Sequence, residues 1–289
     1  MTKTILITGA SKGIGLCCAL GLKARGYTVF ASARQPADIA MLEQQGLHAI
    51  TLDLLNNHSI HAAIAEVLNQ TGGTLDALFN NAGFGQPGAV EDLTQESIRT
   101  QFEANVFGPL ELINQIIPVM RQQGHGRIIN MGSILGIVSL SYRGAYNASK
   151  YALEGLTDTL RLELHGTNIH VSLIEPGPIR SNFRNSSYTY LKNINISKSA
   201  HKPIYEAISR QFNPDKPSDW FNNNRLESFF IKPPEAVLAK LIHALESKHP
   251  KIRYYVTIPA YLLATLKRIL PASLLDKILL GSSFNATSK

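Results

Sequence analysis

The feature that most constrains the fold is a regular alternation of short apolar runs with longer segments of helical periodicity. Runs rich in branched or aromatic residues occupy residues 4–7, 28–31, 49–52, 77–79, 127–131 and 170–174. Helix candidates lie between or after them, at residues 14–25, 37–45, 57–70, 95–122 and 145–165. Continuous apolar strands that alternate with helices are typical of a parallel sheet covered on both faces. We therefore predict a doubly wound α/β fold, with a further strand near residues 254–258.

The alternation stops after Pro176. With 289 residues, 44% of them hydrophobic, the chain can bury a sizeable core, and we expect one domain over residues 1–289. Residues 179–232 read as a substrate-loop insertion, with short helices or as a mobile lid. Its aromatic residues either cover an apolar pocket or pin the loop to the body; they include Phe183, Tyr188, Tyr190, Trp220, Phe221, Phe229 and Phe230.

Charge and residue usage narrow the class of protein. The formal charge is +7, but Lys and Arg are scattered rather than clustered, so we expect no nucleic-acid partner. The nine His residues are dispersed, and we expect no metal site. Adjacent Cys17 and Cys18 cannot pair with each other within a helix. Because the first residues lack the pattern of a secretory signal, we expect a cytoplasmic protein with reduced cysteines.

A glycine-rich turn joins the first predicted strand to the first predicted helix. Its sequence is Thr8-Gly9-Ala10-Ser11-Lys12-Gly13-Ile14-Gly15. Glycines permit a tight turn and close approach of a pyrophosphate, and the amides at a helix N-terminus attract anionic oxygens. The turn lacks the Gly-Lys-Ser/Thr ending of a nucleoside-triphosphate loop. We predict a dinucleotide site contacted by Gly9, Ser11, Lys12, Gly13, Ile14 and Gly15.

The residue after the second strand points to the kind of dinucleotide. A site for NAD usually offers an acid there to the ribose hydroxyls, whereas this chain has Arg34. A guanidinium matches a 2'-phosphate in charge and geometry, and Lys12 offers a second cation. We therefore predict NADP. Asp53 follows the third strand and is free to receive the adenine amino group, although Asp at strand ends also caps helices.

Three residues suggest proton-transfer chemistry. Tyr146 and Lys150 stand four residues apart on a predicted helix, so their side chains leave one face. A neighbouring cation stabilises a phenolate and lowers its pKa, which fits Tyr146 as a general acid or base. Ser133, at the end of an apolar run, is expected to hydrogen-bond the same substrate oxygen.

These motifs together resemble the short-chain dehydrogenase/reductase family over roughly residues 4–181. The match consists of Thr8-Gly9-x-x-x-Gly13-x-Gly15, Asp53, Asn80-Asn81-Ala82-Gly83, Asn105, Ser133, Tyr146-x-x-x-Lys150 and Pro176-Gly177. The whole chain looks similar to the branch that contains steroid- and retinol-type dehydrogenases and bacterial aldehyde reductases. The resemblance implies a Rossmann-type domain that binds a nicotinamide dinucleotide and assembles as a homodimer or homotetramer.

The family's roles transfer to matching positions. By resemblance, Tyr146 is the acid or base, Ser133 orients the substrate oxygen, and Lys150 binds the nicotinamide ribose and lowers the pKa of Tyr146. Asn105 is implied to support a water-linked proton relay. Asn81, Gly83, Pro176, Gly177 and Ile179 are expected at the cofactor cleft. Ser181 stands where the family usually has Thr and retains a hydroxyl for the nicotinamide carboxamide.

The predicted function is NADPH-dependent reduction of an apolar aldehyde or ketone. Oxidation of an apolar alcohol by NADP, and a non-catalytic NADPH-binding sensor or scaffold, remain alternatives. The C-terminal extension, residues 259–289, contains apolar residues around Lys267 and Arg268, with no apolar run near the ~20 residues of a membrane span. It is expected to pack over the cleft or another subunit, or to attach peripherally to an anionic membrane.

Overall fold

The protein is described by a computed structural model over residues 3–211 and 230–282. Its described strands form a seven-stranded parallel sheet in the order β3-β2-β1-β4-β5-β6-β7. The strands are β1 Thr4–Ile7, β2 Thr28–Ala33, β3 His48–Thr51, β4 Ala77–Asn80, β5 Gly126–Met131, β6 Ile169–Glu175 and β7 Arg253–Tyr255. The reversal of strand order at β1 and β4 is that of a doubly wound sheet, which confirms the predicted architecture.

Helices cover both faces of this sheet. They are α1 Gly13–Ala24, α2 Pro36–Gln44, α3 Asn57–Thr71, α4 Gln95–Phe102, α5 Gly108–Gln123, α6 Gly144–Glu163, α7 Phe183–Tyr188, α8 Lys202–Gln211, α9 Glu235–Glu246, α10 Ile258–Ile269 and α11 Ala272–Ser282. Successive side chains of β1 point to opposite faces. Ile5 and Ile7 are buried with α1, α2 and α9, whereas Leu6 is buried with α3 and α5.

The helix predicted over residues 95–122 is present, but it is not a regular α-helix throughout. The chain forms α4, then a π-helical turn at Glu103–Phe107, then α5. Pro109 has no N–H to donate to the Asn105 carbonyl, which is its partner in a regular α-helix. Gly108 also packs closely, because a Cβ there would lie 2.6 Å from the Leu54 carbonyl oxygen. These two residues explain the interruption.

The insertion over residues 179–232 is closed at its base by backbone hydrogen bonds. The Arg180 N–H donates to the Lys232 carbonyl over 2.9 Å, and the Lys232 N–H donates to the Pro178 carbonyl over 3.2 Å. Farther along, Tyr205 is fully buried and its hydroxyl donates to Asp92 over 2.7 Å. The described part of the insertion is therefore helical and pinned to the loop that follows β4.

A chain of buried polar side chains links β4 and β5 to α6. Asn80 Nδ2 donates to Asn130 Oδ1 over 3.0 Å, and Asn130 Nδ2 donates to the Thr157 hydroxyl over 2.9 Å. That hydroxyl donates in turn to the Leu153 carbonyl. Because buried polar groups are costly without partners, this chain fixes the depth at which α6 packs on the sheet.

Thr157→Val is expected to lower the free energy of unfolding by about 1–3 kcal/mol, because it leaves the buried Asn130 amide without an acceptor. Thr159→Val is the matched control. The Thr159 hydroxyl makes the same backbone contact one turn back, to the Gly155 carbonyl, but it is exposed. Its effect should stay within about 0.5 kcal/mol. Denaturant unfolding monitored by circular dichroism measures both, and equal losses would contradict the role of the polar chain.

Candidate active site

The predicted functional residues converge on one edge of the sheet. The glycine-rich turn follows β1, Asn81 follows β4, Ser133 follows β5 and Pro176 follows β6. In a parallel sheet these are the carboxyl ends of the strands, where ligands bind in open α/β folds. A shared edge thus gathers residues that are up to 168 positions apart in the chain, from Thr8 to Pro176.

The glycine-rich turn depends on glycine at specific positions. Gly9 and Gly13 have φ values of +64° and +59°, which L-residues rarely adopt. A Cβ on Gly15 would come within 2.3 Å of the Gly9 carbonyl oxygen and 2.7 Å of Asn81 Nδ2. The helix α1 can therefore start close to the strand, and its first amides face the open edge. This cradle fits a dinucleotide pyrophosphate.

The Asn81 side chain hydrogen-bonds the backbone of the glycine-rich turn. Its Nδ2 donates to the carbonyls of Thr8 and Gly9 over 2.9 and 3.1 Å. Its own N–H and that of Ala82 donate to the Thr8 hydroxyl over 3.0 and 2.9 Å. The predicted residue Asn81 is thus a tie between β1 and β4. Sequence reasoning quoted Thr8 within the motif but gave it no role; its hydroxyl is the hub of that tie.

The residues predicted to select the dinucleotide lie at the same edge. Lys12 and Arg34 are exposed, Ser11 and Ile14 are half-buried in the turn, and Asp53 is half-buried after β3. Asp53 Oδ1 accepts the Leu55 N–H over 3.1 Å, so part of this carboxylate shapes its own turn. Its proposed contact with adenine stays a prediction.

The three proton-transfer residues come together where β5 ends and α6 begins. Ser133 and Tyr146 are buried, and the Ser133 hydroxyl lies near enough to the Tyr146 phenol to act on its pKa. Lys150 is also buried, and its ammonium donates to the Met131 carbonyl over 2.6 Å. The ammonium nitrogen lies 5.7 Å from the centre of the Tyr146 ring. A hydroxyl, a phenol and a cation therefore meet within one small volume.

The expected lowering of the Tyr146 pKa is not what the structure gives. Burial raises the pKa of Tyr146, and the hydrogen bond from Ser133 and the charge of Arg143 only partly oppose it. Burial also lowers the pKa of Lys150 to about 8, against the opposing charge of Glu154. The reason is that desolvation disfavours both charged forms. A Tyr146 that keeps its proton at neutral pH is suited to act as an acid.

Asn105 lies in the π-helical turn, and its side chain is fully engaged. Its Nδ2 donates to the Phe84 carbonyl over 3.0 Å and to the Ser149 hydroxyl over 3.1 Å, while Oδ1 accepts the Phe84 N–H. Gly83 packs against it, because a Cβ there would lie 2.9 Å from Oδ1. The Asn105 main-chain carbonyl lacks its α-helical donor, because residue 109 is Pro.

The segment after β6 connects the serine turn to the C-terminal helices. The Pro176 carbonyl accepts the Ile134 N–H over 3.0 Å, next to Ser133. Gly177 has no room for a side chain, since a Cβ would lie 2.2 Å from the Thr257 hydroxyl oxygen. Ser181 lies beside the glycine-rich turn, with its Cβ 3.5 Å from a Cβ built on Gly13, whereas Ile179 packs into the core under α1 and α9.

Apolar side chains form the walls around Tyr146. The Phe183 ring lies 5.5 Å from the Tyr146 ring, and Tyr190 stacks on Phe84 at 4.2 Å. These contacts bring the first half of the insertion to the site. The predicted contributions of Trp220, Phe221 and Phe229 lie outside the described residues.

The C-terminal helices complete these walls. Ala260 and Ala264 of α10, with Leu275 and Leu279 of α11, belong to the same buried cluster as Tyr146. The extension thus packs over the catalytic end of α6, as one of the sequence interpretations expected. Among the described helices, none is both long and apolar enough to cross a bilayer.

Comparison with known proteins places this site in a family. Residues 3–191 match the family model for short chain dehydrogenase. The oxidoreductase YbbO of Escherichia coli strain K12 is 41% identical over 281 residues, which cover 97% of this chain and 95% of that protein.

Two further comparisons involve reductases with named substrates or cofactors. The 3-ketodihydrosphingosine reductase of Bacteroides thetaiotaomicron is 37% identical over 180 residues, or 62% of this chain and 65% of that protein. A crystal structure of an actinorhodin polyketide ketoreductase variant with NADPH superposes with a TM-score of 0.69 at 25% identity, over 88% of this chain and 95% of that one. These matches show that the chain belongs to the short-chain dehydrogenase/reductase family of oxidoreductases.

Proposed function

We propose that the protein is an NADPH-dependent reductase of apolar aldehydes or ketones, with Tyr146 as the general acid. The observation that carries this proposal is that the buried Ser133 and Tyr146 hydroxyls lie together beside the buried Lys150 ammonium, which donates to the Met131 carbonyl. A binding protein needs no buried proton donor that is paired with a hydroxyl and a cation, so this arrangement favours catalysis over a sensor or scaffold.

The chain's own residues supply the proton and stabilise the charge. A bound nicotinamide supplies the hydride that adds to the carbonyl carbon. Ser133 donates a hydrogen bond to the carbonyl oxygen, and Tyr146 transfers its phenolic proton to that oxygen as negative charge develops there. The buried Lys150 ammonium stabilises the phenolate that results. Reprotonation of Tyr146 from solvent is proposed to pass by way of the Asn105 main chain.

Arg34 and Lys12 support NADPH as the cofactor. Both cations are exposed at the edge of the sheet that carries the glycine cradle. Their charge suits a 2'-phosphate, which NAD lacks. The similar polyketide ketoreductase was determined with NADPH, which agrees with this choice.

The walls of the site support an apolar substrate. Phe84, Phe183 and Tyr190 contribute aromatic surface, and α10 and α11 contribute aliphatic surface. Apolar walls with a few convergent polar groups favour a ligand that buries hydrocarbon and presents one oxygen. The similar 3-ketodihydrosphingosine reductase has a long-chain ketone in its name. The same residues would catalyse the reverse oxidation, so the ratio of reduced to oxidised cofactor decides the direction.

Tyr146→Phe is expected to reduce turnover at least about 100-fold while NADPH binding is unchanged, because the variant loses only the acidic proton. The measurement follows NADPH absorbance with aliphatic, aromatic and retinoid aldehydes and ketosteroids, beside cofactor titration by fluorescence. Tyr151→Phe, on the same helix but with its hydroxyl on the Ile137 carbonyl, is the control. Retention of most activity by the Tyr146 variant would sink the assignment.

Arg34→Ala is expected to raise the Kd for NADPH about 10-fold or more and to leave the Kd for NADH nearly unchanged, because the lost charge faces only a phosphate. Arg121→Ala is the control, since Arg121 is exposed at the end of α5 on the opposite edge of the sheet. Isothermal titration of both cofactors gives the ratio. A parallel weakening of NADPH and NADH would refute phosphate recognition by Arg34.

The C-terminal extension supports a second, peripheral role at a membrane. Four exposed apolar side chains follow one stripe of α10 at i, i+3, i+4 and i+11, opposite the buried Ala260 and Ala264; they are Ile258, Tyr261, Leu262 and Ile269. Arg268 borders this stripe, and Lys267 lies beside Arg268 in the last turn of the helix. We propose that the stripe lies on an anionic bilayer.

Leu262→Gln with Ile269→Gln is expected to abolish flotation of the protein with vesicles that contain phosphatidylglycerol, because it removes the inserted apolar surface. Lys267→Glu with Arg268→Glu should do so through charge. Ile252→Gln, an exposed site outside α10, is the control. Equal flotation of all forms would contradict the proposal. If the molar mass of the parent protein in solution rises with concentration and that of the Leu262/Ile269 variant does not, the stripe is instead a contact between two copies.

A further inference from the structure

A buried group of acids lies behind Lys150. Glu154 follows Lys150 by one turn of α6 and is 8% exposed, and Glu175 ends β6 and is fully buried. Arg253 of β7 joins them: its Nη1 hydrogen-bonds both Glu154 and Glu175, the latter over 2.7 Å. Its Nη2 donates to Asp158 over 2.5 Å. Two buried carboxyl groups thus share one nitrogen of a single guanidinium.

The hydrogen bonds account for only one oxygen of each buried acid. Glu154 Oε1 and Glu175 Oε2 are buried and receive no donor from the described residues. One proton held between these two carboxyl groups satisfies both oxygens. Burial, followed by the charge of Glu154, raises the pKa of Glu175 to about 8. Burial also raises the pKa of Glu154, although the hydrogen bond and the charge of Arg253 oppose this, and both shifts favour a proton shared by the pair.

This pair packs directly against the backbone of the catalytic turn. A Cβ on Gly132 would lie 3.2 Å from Glu175 Cγ and 3.3 Å from Glu154 Oε1. Gly132 stands between Met131, whose carbonyl accepts the Lys150 ammonium, and Ser133. On the other side of the turn, a Cβ on Gly136 would lie 2.9 Å from Glu154 Cγ. A side chain at either glycine would therefore crowd the two acids.

We propose that the Glu154–Glu175 pair, clamped by Arg253, is a positioning group that keeps Lys150 charged and holds the Ser133 turn in place. The inference rests on the proposed reductase function. Four charged or titratable groups face the pair: Lys150 and Asp158 on α6, and Arg253 and Tyr255 on β7. Arg268 of α10 acts on Tyr255 and so lies one residue farther away. Of these, Lys150 is the group bound next to the reacting phenol.

Removing the negative charge of Glu154 is expected to lower the pKa of Lys150. Desolvation pushes the Lys150 pKa down to about 8, and the Glu154 carboxylate opposes this. Without that carboxylate, Lys150 loses its proton at a lower pH. The Tyr146 phenolate then lacks its stabilising cation. The alkaline midpoint of the pH profile for reduction should therefore shift to lower pH. A group that only supports the fold would not move this midpoint.

Glu154→Gln and Asp158→Asn form the matched pair for the test, because each neutralises one acid bound to Arg253. The Lys150 midpoint is read by nitrogen NMR of lysine-labelled protein, with Lys150→Arg for assignment, and the pH profile of kcat/KM is read beside it. Glu154→Gln is expected to lower both midpoints by about one pH unit, and Asp158→Asn is expected to leave both unchanged. Equal Lys150 midpoints in the two variants would overturn the proposal.

Glu175→Gln and Glu175→Leu test the shared proton without removing the Glu154 charge. The amide still donates to Glu154, so Glu175→Gln is expected to keep the kcat and Lys150 midpoint of the parent at neutral pH. Glu175→Leu leaves Glu154 Oε1 without a donor and is expected to lower kcat about 10-fold or more with little change in NADPH affinity. Equal kcat in the two Glu175 variants would overturn the proposal. This test stands even if the Glu154→Gln variant does not fold. Absence of turnover in the parent enzyme would instead reject the proposed function, because the NMR midpoint needs no substrate.

Discussion

The burial of the Lys150 ammonium is the interaction on which the catalytic end of the molecule depends. An ammonium taken out of water is costly unless a charge or a dipole compensates it. Here the Met131 carbonyl supplies the direct contact, and Glu154 supplies the nearby negative charge. That acid in turn requires Arg253 from the last strand. The edge strand β7 is therefore tied electrostatically to the catalytic helix α6.

The cofactor side of the cleft is organised by hydrogen bonds rather than by charge. Asn81 ties the end of β4 to the glycine-rich turn after β1, and Asn105 ties the loop beyond β4 to α6 through Ser149. The Asn81 amide donates to backbone carbonyls only, whereas the Asn105 amide donates to one backbone carbonyl and to the Ser149 hydroxyl. Close approach of backbone to backbone, as at Gly15 and Gly83, makes these short ties possible.

The substrate side is built from segments that lie late in the chain. Phe183 and α10 reach the same buried cluster around Tyr146, although they belong to the insertion and to the C-terminal extension. In the proposed function, these late segments define the space left for the part of the substrate beyond its reacting oxygen. Because the exposed stripe of α10 lies on the helix that covers Tyr146, membrane contact and substrate entry would occur on one side of the molecule.

The sequence by itself determined the sheet, because the alternation of apolar runs and helical segments is a local pattern that each element carries alone. It also identified Ser133, Tyr146 and Lys150, whose spacing on one strand end and one helix encodes their convergence. It did not reveal the π-helical turn around Asn105, the hydrogen-bonding role of Thr8, or the acid pair of Glu154 and Glu175. Only the tertiary structure decided these, and with them the raised pKa of Tyr146. Burial and partner choice depend on residues that are distant in sequence, and no local pattern records which of them will share a proton or lose contact with water.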